Sequence, residues 1–230
     1  YARLFEKLQT CRSGLGERRL DDSLYRMSRL EITVHRPFLM EVLRLNQDGK
    51  LSAESVRDIF EIVENYLFRR NVCEVPTNAL NKIFLTLNKE ILRYDNTTDR
   101  YVDKFIYTLR SKKDSGRFPD DREFAEALAA KQVYLMRGRY KSYLFERFEN
   151  FGTVETKDVY AHLDHNDYSI EHIMPQHLTP AWIEALGTNA SEIHEDWVHR
   201  LANLTLTGYN PSLRRSGMPS RADTGAADCV

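Results

Sequence analysis

The segment SAESVRDIFEIVENYLFRR, residues 52–70, carries apolar side chains at Val56, Ile59, Phe60, Val63, Tyr66 and Leu67. Spacings of three and four place all six on one stripe of an α-helix, whereas a strand would split them between two faces. Ser52 stands where an N-cap is needed. So wide a stripe must be covered by other helices, and the chain supplies them. PTNALNKIFLTLNKEIL repeats the spacing through Leu80, Ile83, Phe84, Leu87 and Ile91, with Thr77 as the expected cap, and DRYVDKFIYTLRS repeats it through Tyr101, Phe105 and Leu109. FPDDREFAEALAA opens on a proline and acids, as a helix N-terminus should, and RYKSYLFERFE closes the series. Pro37 lacks an N–H and predicts a break in the helical stretch around it, and QDGKLS reads as a turn. The expected fold is mainly α, with a helical domain over residues 1–160.

The texture changes at FENFGTVETKDVYAHLDHND, where glycine, threonines and clustered acids mark a connector. Beyond it the pattern predicts a strand at 168–173, short helices near 179–186 and 191–200, a strand at 203–207 and a helix near 210–215. A second, small domain is therefore expected over 161–215, with Trp182 and Trp197 as core anchors. Residues 216–230 form a low-complexity tail expected to be disordered.

No apolar run approaches the roughly 20 residues of a membrane span, and no basic-then-apolar leader follows Tyr1. Cys11, Cys73 and Cys229 are odd in number and far apart, which argues against zinc ribbons and for a reduced, cytoplasmic protein. The net charge of −1 announces no global attraction for a polyanion. Its distribution is uneven: residues 162–230 hold four arginines, no lysine and nine acids. Any polyanion must therefore find its cations in the first 161 residues, where Arg69, Arg70, Arg110, Lys112, Lys113, Arg137, Arg139 and Lys141 form clusters.

Six of the seven histidines lie within residues 162–199. At the centre of YSIEHIMPQ an acid and an imidazole stand side by side, Glu171–His172, and LANLTLTGYN follows with Asn203 and Asn210. Phosphodiester hydrolysis needs a base for water, positive charge on the non-bridging oxygens and help for the leaving oxygen. A neutral imidazole can be the base. A divalent ion held by a carboxylate and an amide oxygen can do the rest, and such oxygen ligands suit Mg²⁺ or Mn²⁺. The two side chains face opposite sides of an ideal strand, so the acid joins such a site only where the strand ends or bends, as Pro175 suggests. Of the other histidines, His177, His194 and His199 read as surface or capping residues, with His199 also the reserve contact to phosphate or metal, and His162 and His165 as having no specific role.

EHIMPQ followed by LANLTLTGYN closely resembles the HNH, or ββα-metal (His-Me finger), nuclease fold, and specifically the C-terminal nuclease domain of GmrSD-like type IV restriction endonucleases, which cut modified DNA. YLFRRNVCEVPTNALNKIF and RFPDDREFAEAL resemble the helical region before that nuclease. The resemblance implies His172 as general base, Glu171 and Asn210 as ligands of Mg²⁺ or Mn²⁺, and Asn203 as the brace of the inter-strand turn or of the histidine. It implies a metal-dependent DNA endonuclease with an anti-phage role. Related proteins add an N-terminal NTP-using domain and recognise modified cytosine, and no nucleotide-binding motif occurs in this sequence. His199, Arg137, Arg139 and Lys141 are the candidate DNA contacts. Two departures stand out: Ala202 replaces the usual glycine, and after NPSLRR the chain runs into SGMPSRADTGAADCV where the family continues toward Asn, Phe and Lys. The alternative from another class is a helical interaction module whose nuclease-like end is degenerate. RNA cleavage would use the same site.

Overall fold

The computed structural model describes residues 1–208. Asn210, the helix expected after it, the 216–230 tail and Cys229 lie outside the described residues. The chain divides into two compact units, Tyr1–Tyr143 and Leu144–Val230. The connector near residue 160 falls within the second.

The first unit is helical throughout. α1 (Ala2–Gln9), α2 (Arg18–Arg29), α3 (Arg36–Gln47), α4 (Ala53–Val72), α5 (Leu80–Leu92), α6 (Tyr101–Arg110) and α7 (Asp121–Ala130) lead to α8 (Gly138–Asn150), inside which the division falls. The stripe on α4 is its core: Val56, Ile59, Phe60, Val63 and Tyr66 have no exposed surface. Each such side chain contributes roughly 1.5–3 kcal/mol on burial. α2, α3, α6 and α7 pack against α4, and α5 packs against α3 and α6. Phe38 of α3 stacks on Phe105 of α6 at 5.4 Å between ring centroids.

The local signals act as their chemistry requires. Ser52 Oγ accepts the Ser55 N–H at 3.1 Å, and Asp120 Oδ1 accepts the Glu123 N–H at 2.8 Å, capping α4 and α7. Pro37 sits in the first turn of α3, where its missing N–H costs nothing, and the chain between Arg29 and Arg36 is non-helical. Thr77 is a correction. It opens a 3-10 turn, Thr77–Ala79, and α5 starts after Ala79 with no side-chain cap. The tighter turn takes the place of the cap because 3-10 bonds satisfy the same orphan N–H groups.

Two polar devices are buried among these helices. Glu64 binds Arg26 through two bonds of 2.6 and 3.0 Å and accepts the Tyr143 hydroxyl at 2.8 Å. Arg70, 1% exposed, donates to the carbonyls of Pro76, Ser115 and Arg117 at 2.6, 2.7 and 3.1 Å, tying two loops to the end of α4.

The second unit holds α9 (Val159–Asp164), β1 (Ser169–His172), α10 (Pro180–Leu186), α11 (Ala190–Trp197) and β2 (Leu204–Thr207). The strands pair antiparallel, Ser169 with Thr207 and His172 with Leu204. Among its described residues, Leu144, Phe145, Val159, Tyr160, Met174, Ala190, Val198 and Leu204 are the buried apolar ones. Trp197 is not among them: it is 44% exposed, with the Arg200 guanidinium 4.6 Å from its ring centroid, and Trp182 is half-buried. With the Arg200 guanidinium over it, that face of the indole is not packed against apolar neighbours. Among the described residues no helix is long and apolar enough to cross a membrane.

Candidate active site

β1 brings Glu171 and His172 to adjacent positions, and the two-residue period of a strand sends them to opposite faces. Glu171 accepts a hydrogen bond from Ser169 Oγ at 2.8 Å, and Ser169 Oγ lies 3.3 Å from Thr207 Oγ1 across the ladder. That face is a row of oxygen atoms. It includes the one carboxylate of the strand pair.

His172, half-buried, looks the other way. Its Nε2 lies 3.3 Å from His199 Nδ1, and its Nδ1 lies 3.2 Å from the Gln176 side-chain nitrogen. The two imidazoles meet at 65° with centroids 5.5 Å apart. An amide N–H pointing at Nδ1 is satisfied when that nitrogen is an acceptor, which leaves the proton of a neutral ring on Nε2.

Asn203 explains why these groups meet. It is 7% exposed, and its side chain makes three bonds: Oδ1 accepts the Met174 N–H at 2.7 Å, while Nδ2 donates to the carbonyls of Met174 at 3.0 Å and Val198 at 2.9 Å. Its own carbonyl accepts the Ile173 N–H at 2.9 Å. One amide thus joins the exit of β1, the entry of β2 and the end of α11. The segment after His172 is thereby fixed beside the segment that carries His199. His194 adds a further tie, its Nε2 donating to the Pro175 carbonyl at 2.9 Å. Gln176, given no part from sequence, and His194, read there as a surface or capping residue, therefore belong to this assembly.

Other sequence-marked groups lie elsewhere. His162 stacks on Tyr168 at 4.5 Å and faces Asp167 at 3.3 Å, closing the turn between α9 and β1. His165 and His177 are exposed. Asn210 lies outside the described residues, and among these no group of three His, Cys, Asp or Glu side chains could hold a metal ion. Arg137, Arg139 and Lys141 belong to the first unit. Arg139 pairs with Glu31 at 2.6 Å, and Lys141 donates to the Tyr134 carbonyl at 2.8 Å, its ammonium held below the usual lysine range by burial. Arg137 and Arg139 line a cleft of about 1080 Å³ whose rim also holds Glu31 and Glu74, the latter paired with Lys131 at 2.5 Å. Glu31 and Glu74 offset two of the four cations that line the cleft, Arg70, Lys131, Arg137 and Arg139.

Residues 118–221 match the family model of the GmrSD restriction endonucleases, C-terminal domain. No curated protein and no solved structure matches the chain. The matched segment spans β1, β2, Gln176, His194, His199 and Asn203. A restriction endonuclease family implies DNA as the substrate. By this match, residues 118–221 are similar to the C-terminal domain of the GmrSD restriction endonucleases.

Proposed function

We propose that the C-terminal unit is a metal-dependent DNA endonuclease of the HNH, ββα-metal kind, acting in the cytoplasm in modification-dependent defence against phage. The observation that carries this reading is the seating of His172, held between Gln176 and His199 beside the Asn203 cross-brace, within the segment that matches the nuclease family.

His172 is the general base. As a base it needs a lone pair on Nε2, so the Gln176 amide turns its oxygen to accept the Nδ1 proton, and Nε2, 3.3 Å from His199 Nδ1, takes the proton of the attacking water. Asn203 keeps the imidazole in place by fixing Met174 and the chain around it. The oxygens of Glu171, Ser169 and Thr207 suit a hard divalent ion in kind, and Glu171 and Asn210 are the residues that would hold Mg²⁺ or Mn²⁺. When bound, the ion supplies positive charge for the non-bridging and leaving oxygens. One carboxylate and one amide are few ligands, so the ion keeps several waters and binds weakly.

Supercoiled plasmid incubated with Mg²⁺ or Mn²⁺ tests the reading. The parent nicks it, and Glu171→Ala and Asn210→Ala suppress both nicking and the heat of Mn²⁺ binding seen by calorimetry. Unchanged Mn²⁺ binding in both variants removes Glu171 and Asn210 as the metal site. A parent that leaves the plasmid intact favours a helical interaction module with a degenerate nuclease-like end.

A further inference from the structure

The sequence contains many cations, but the structure shows which of them are already engaged. Arg69 pairs with Asp121 at 2.6 Å, Arg70 is buried on carbonyls, and Arg139 is paired with Glu31. Between residues 82 and 113, by contrast, there are eight basic and four acidic side chains. Three of those acids are paired within the segment: Glu90 with Lys112, Asp95 with Lys104, and Asp103 with Arg100. Five exposed cations remain, Lys82, Lys89, Arg93, Arg110 and Lys113, none of which makes an ion pair among the described residues. Within the segment only Asp99 is left to offset them, with Asp114 next to Lys113 just beyond it.

These five are arranged on a face. Lys82, Leu85, Lys89 and Arg93 follow at spacings of three, four and four along α5, so they form one exposed stripe about 16 Å long. On α6, Tyr107 and Arg110 are three apart and both exposed, with Lys113 just beyond. The Tyr94 and Tyr107 rings meet edge-on at 5.8 Å and join the two helices, while remaining 52% and 62% exposed. Aromatic rings in water beside unpaired cations suit a partner with both phosphates and apolar sugar or base surface.

We propose that this face of the α5–α6 hairpin grips the DNA backbone. The proposal rests on reading the C-terminal unit as a DNA nuclease, and it supplies what that unit lacks. Residues 162–230 carry nine acids against four arginines, so they repel the polyanion they are to cut. About 16 Å of duplex carries roughly nine charges, enough to engage all five cations.

The test is fluorescence anisotropy of a labelled 20-base-pair duplex with the full chain, titrated at several salt concentrations. Removing three phosphate contacts in K89A/R93A/R110A should lower the slope of log K against log salt by about 2.7 and weaken binding at least tenfold. K89R/R93K/R110K should keep both. R12A/K50A/R122A removes the same charge from exposed sites elsewhere and should change affinity less than threefold. The proposal is overturned by a parent that does not bind at 50 mM salt, by an unaltered slope in K89A/R93A/R110A, or by an equal loss in R12A/K50A/R122A. Loss of binding to phosphatidylserine vesicles with DNA binding intact would instead make the face a membrane contact. Nicking by the same preparations separates the two readings. A parent that binds through this face without nicking keeps the surface and ends the nuclease assignment. One that nicks while K89A/R93A/R110A binds normally does the reverse.

Discussion

Asn203 is the residue whose replacement should most clearly loosen the candidate site without touching its chemistry. Asn203→Ala removes the acceptor of the Met174 N–H and the donors to the Met174 and Val198 carbonyls. Met174 and Val198 are each 6% exposed, so water does not readily replace these bonds. At about 1 kcal/mol net for each of three bonds, local opening should become easier by about 3 kcal/mol, or roughly a hundredfold in the opening equilibrium. Asn203→Asp keeps an acceptor for Met174 but turns a second oxygen toward two carbonyls, so at pH 7 it should do no better than alanine. Because the chain has two units, a single unfolding midpoint would blur the effect. Hydrogen exchange at the Met174 amide reads it directly. Protection within threefold of the parent in Asn203→Ala would refute the cross-brace.

Three further outcomes follow from the first unit and the strand pair. His35 is 5% exposed with its Nδ1 unpartnered, and burial, then the nearby Arg36 charge, lower its pKa from 6.5 to about 4. The unfolded chain therefore binds the proton more readily. This group's contribution to stability is full above pH 6.5 and falls as pH drops toward 4, by about 2 kcal/mol between pH 7 and 5. Urea titrations of the parent and His35→Phe should differ in pH dependence by that amount, and parallel curves would contradict it. Glu64→Gln removes the carboxylate that binds Arg26 and Tyr143 and should destabilise the first unit by roughly 3 kcal/mol in the same assay; a loss under 1 kcal/mol would contradict the buried pair. In Gly208→Ala the new Cβ would stand 3.0 Å from the Tyr168 ring, which stacks on His162. The ring must shift, and an unchanged Tyr168 ring spectrum by NMR would contradict the close approach.

The helices were legible because their signals are local. The stripe from Val56 to Leu67, the Ser52 cap, the proline and acids that open α7 and the Pro37 break each act over one or two turns. Thr77 was misread because a 3-10 turn and a capped α-helix start with the same residue types. At the candidate site, the opposite facing of Glu171 and His172 could be read from strand period alone. The approach of His199 to His172 could not, since 27 residues separate them and the Asn203 bonds, with the His194 tie, fold one segment against the other. Charge was legible in amount but not in availability. Arg139 meets its acid 108 residues away, while Lys89, Arg93 and Arg110, ordinary in sequence, make no ion pair among the described residues.

The central claim is that His172 deprotonates the attacking water, and the most direct test is single-turnover cleavage of duplex DNA in Mn²⁺ by the parent and by His172→Ala. Loss of a general base lowers the rate typically 10²–10⁴-fold. The account predicts a loss of at least a hundredfold, with duplex affinity unchanged because the grip lies on other residues. Cleavage by His172→Ala at the parental rate would contradict it.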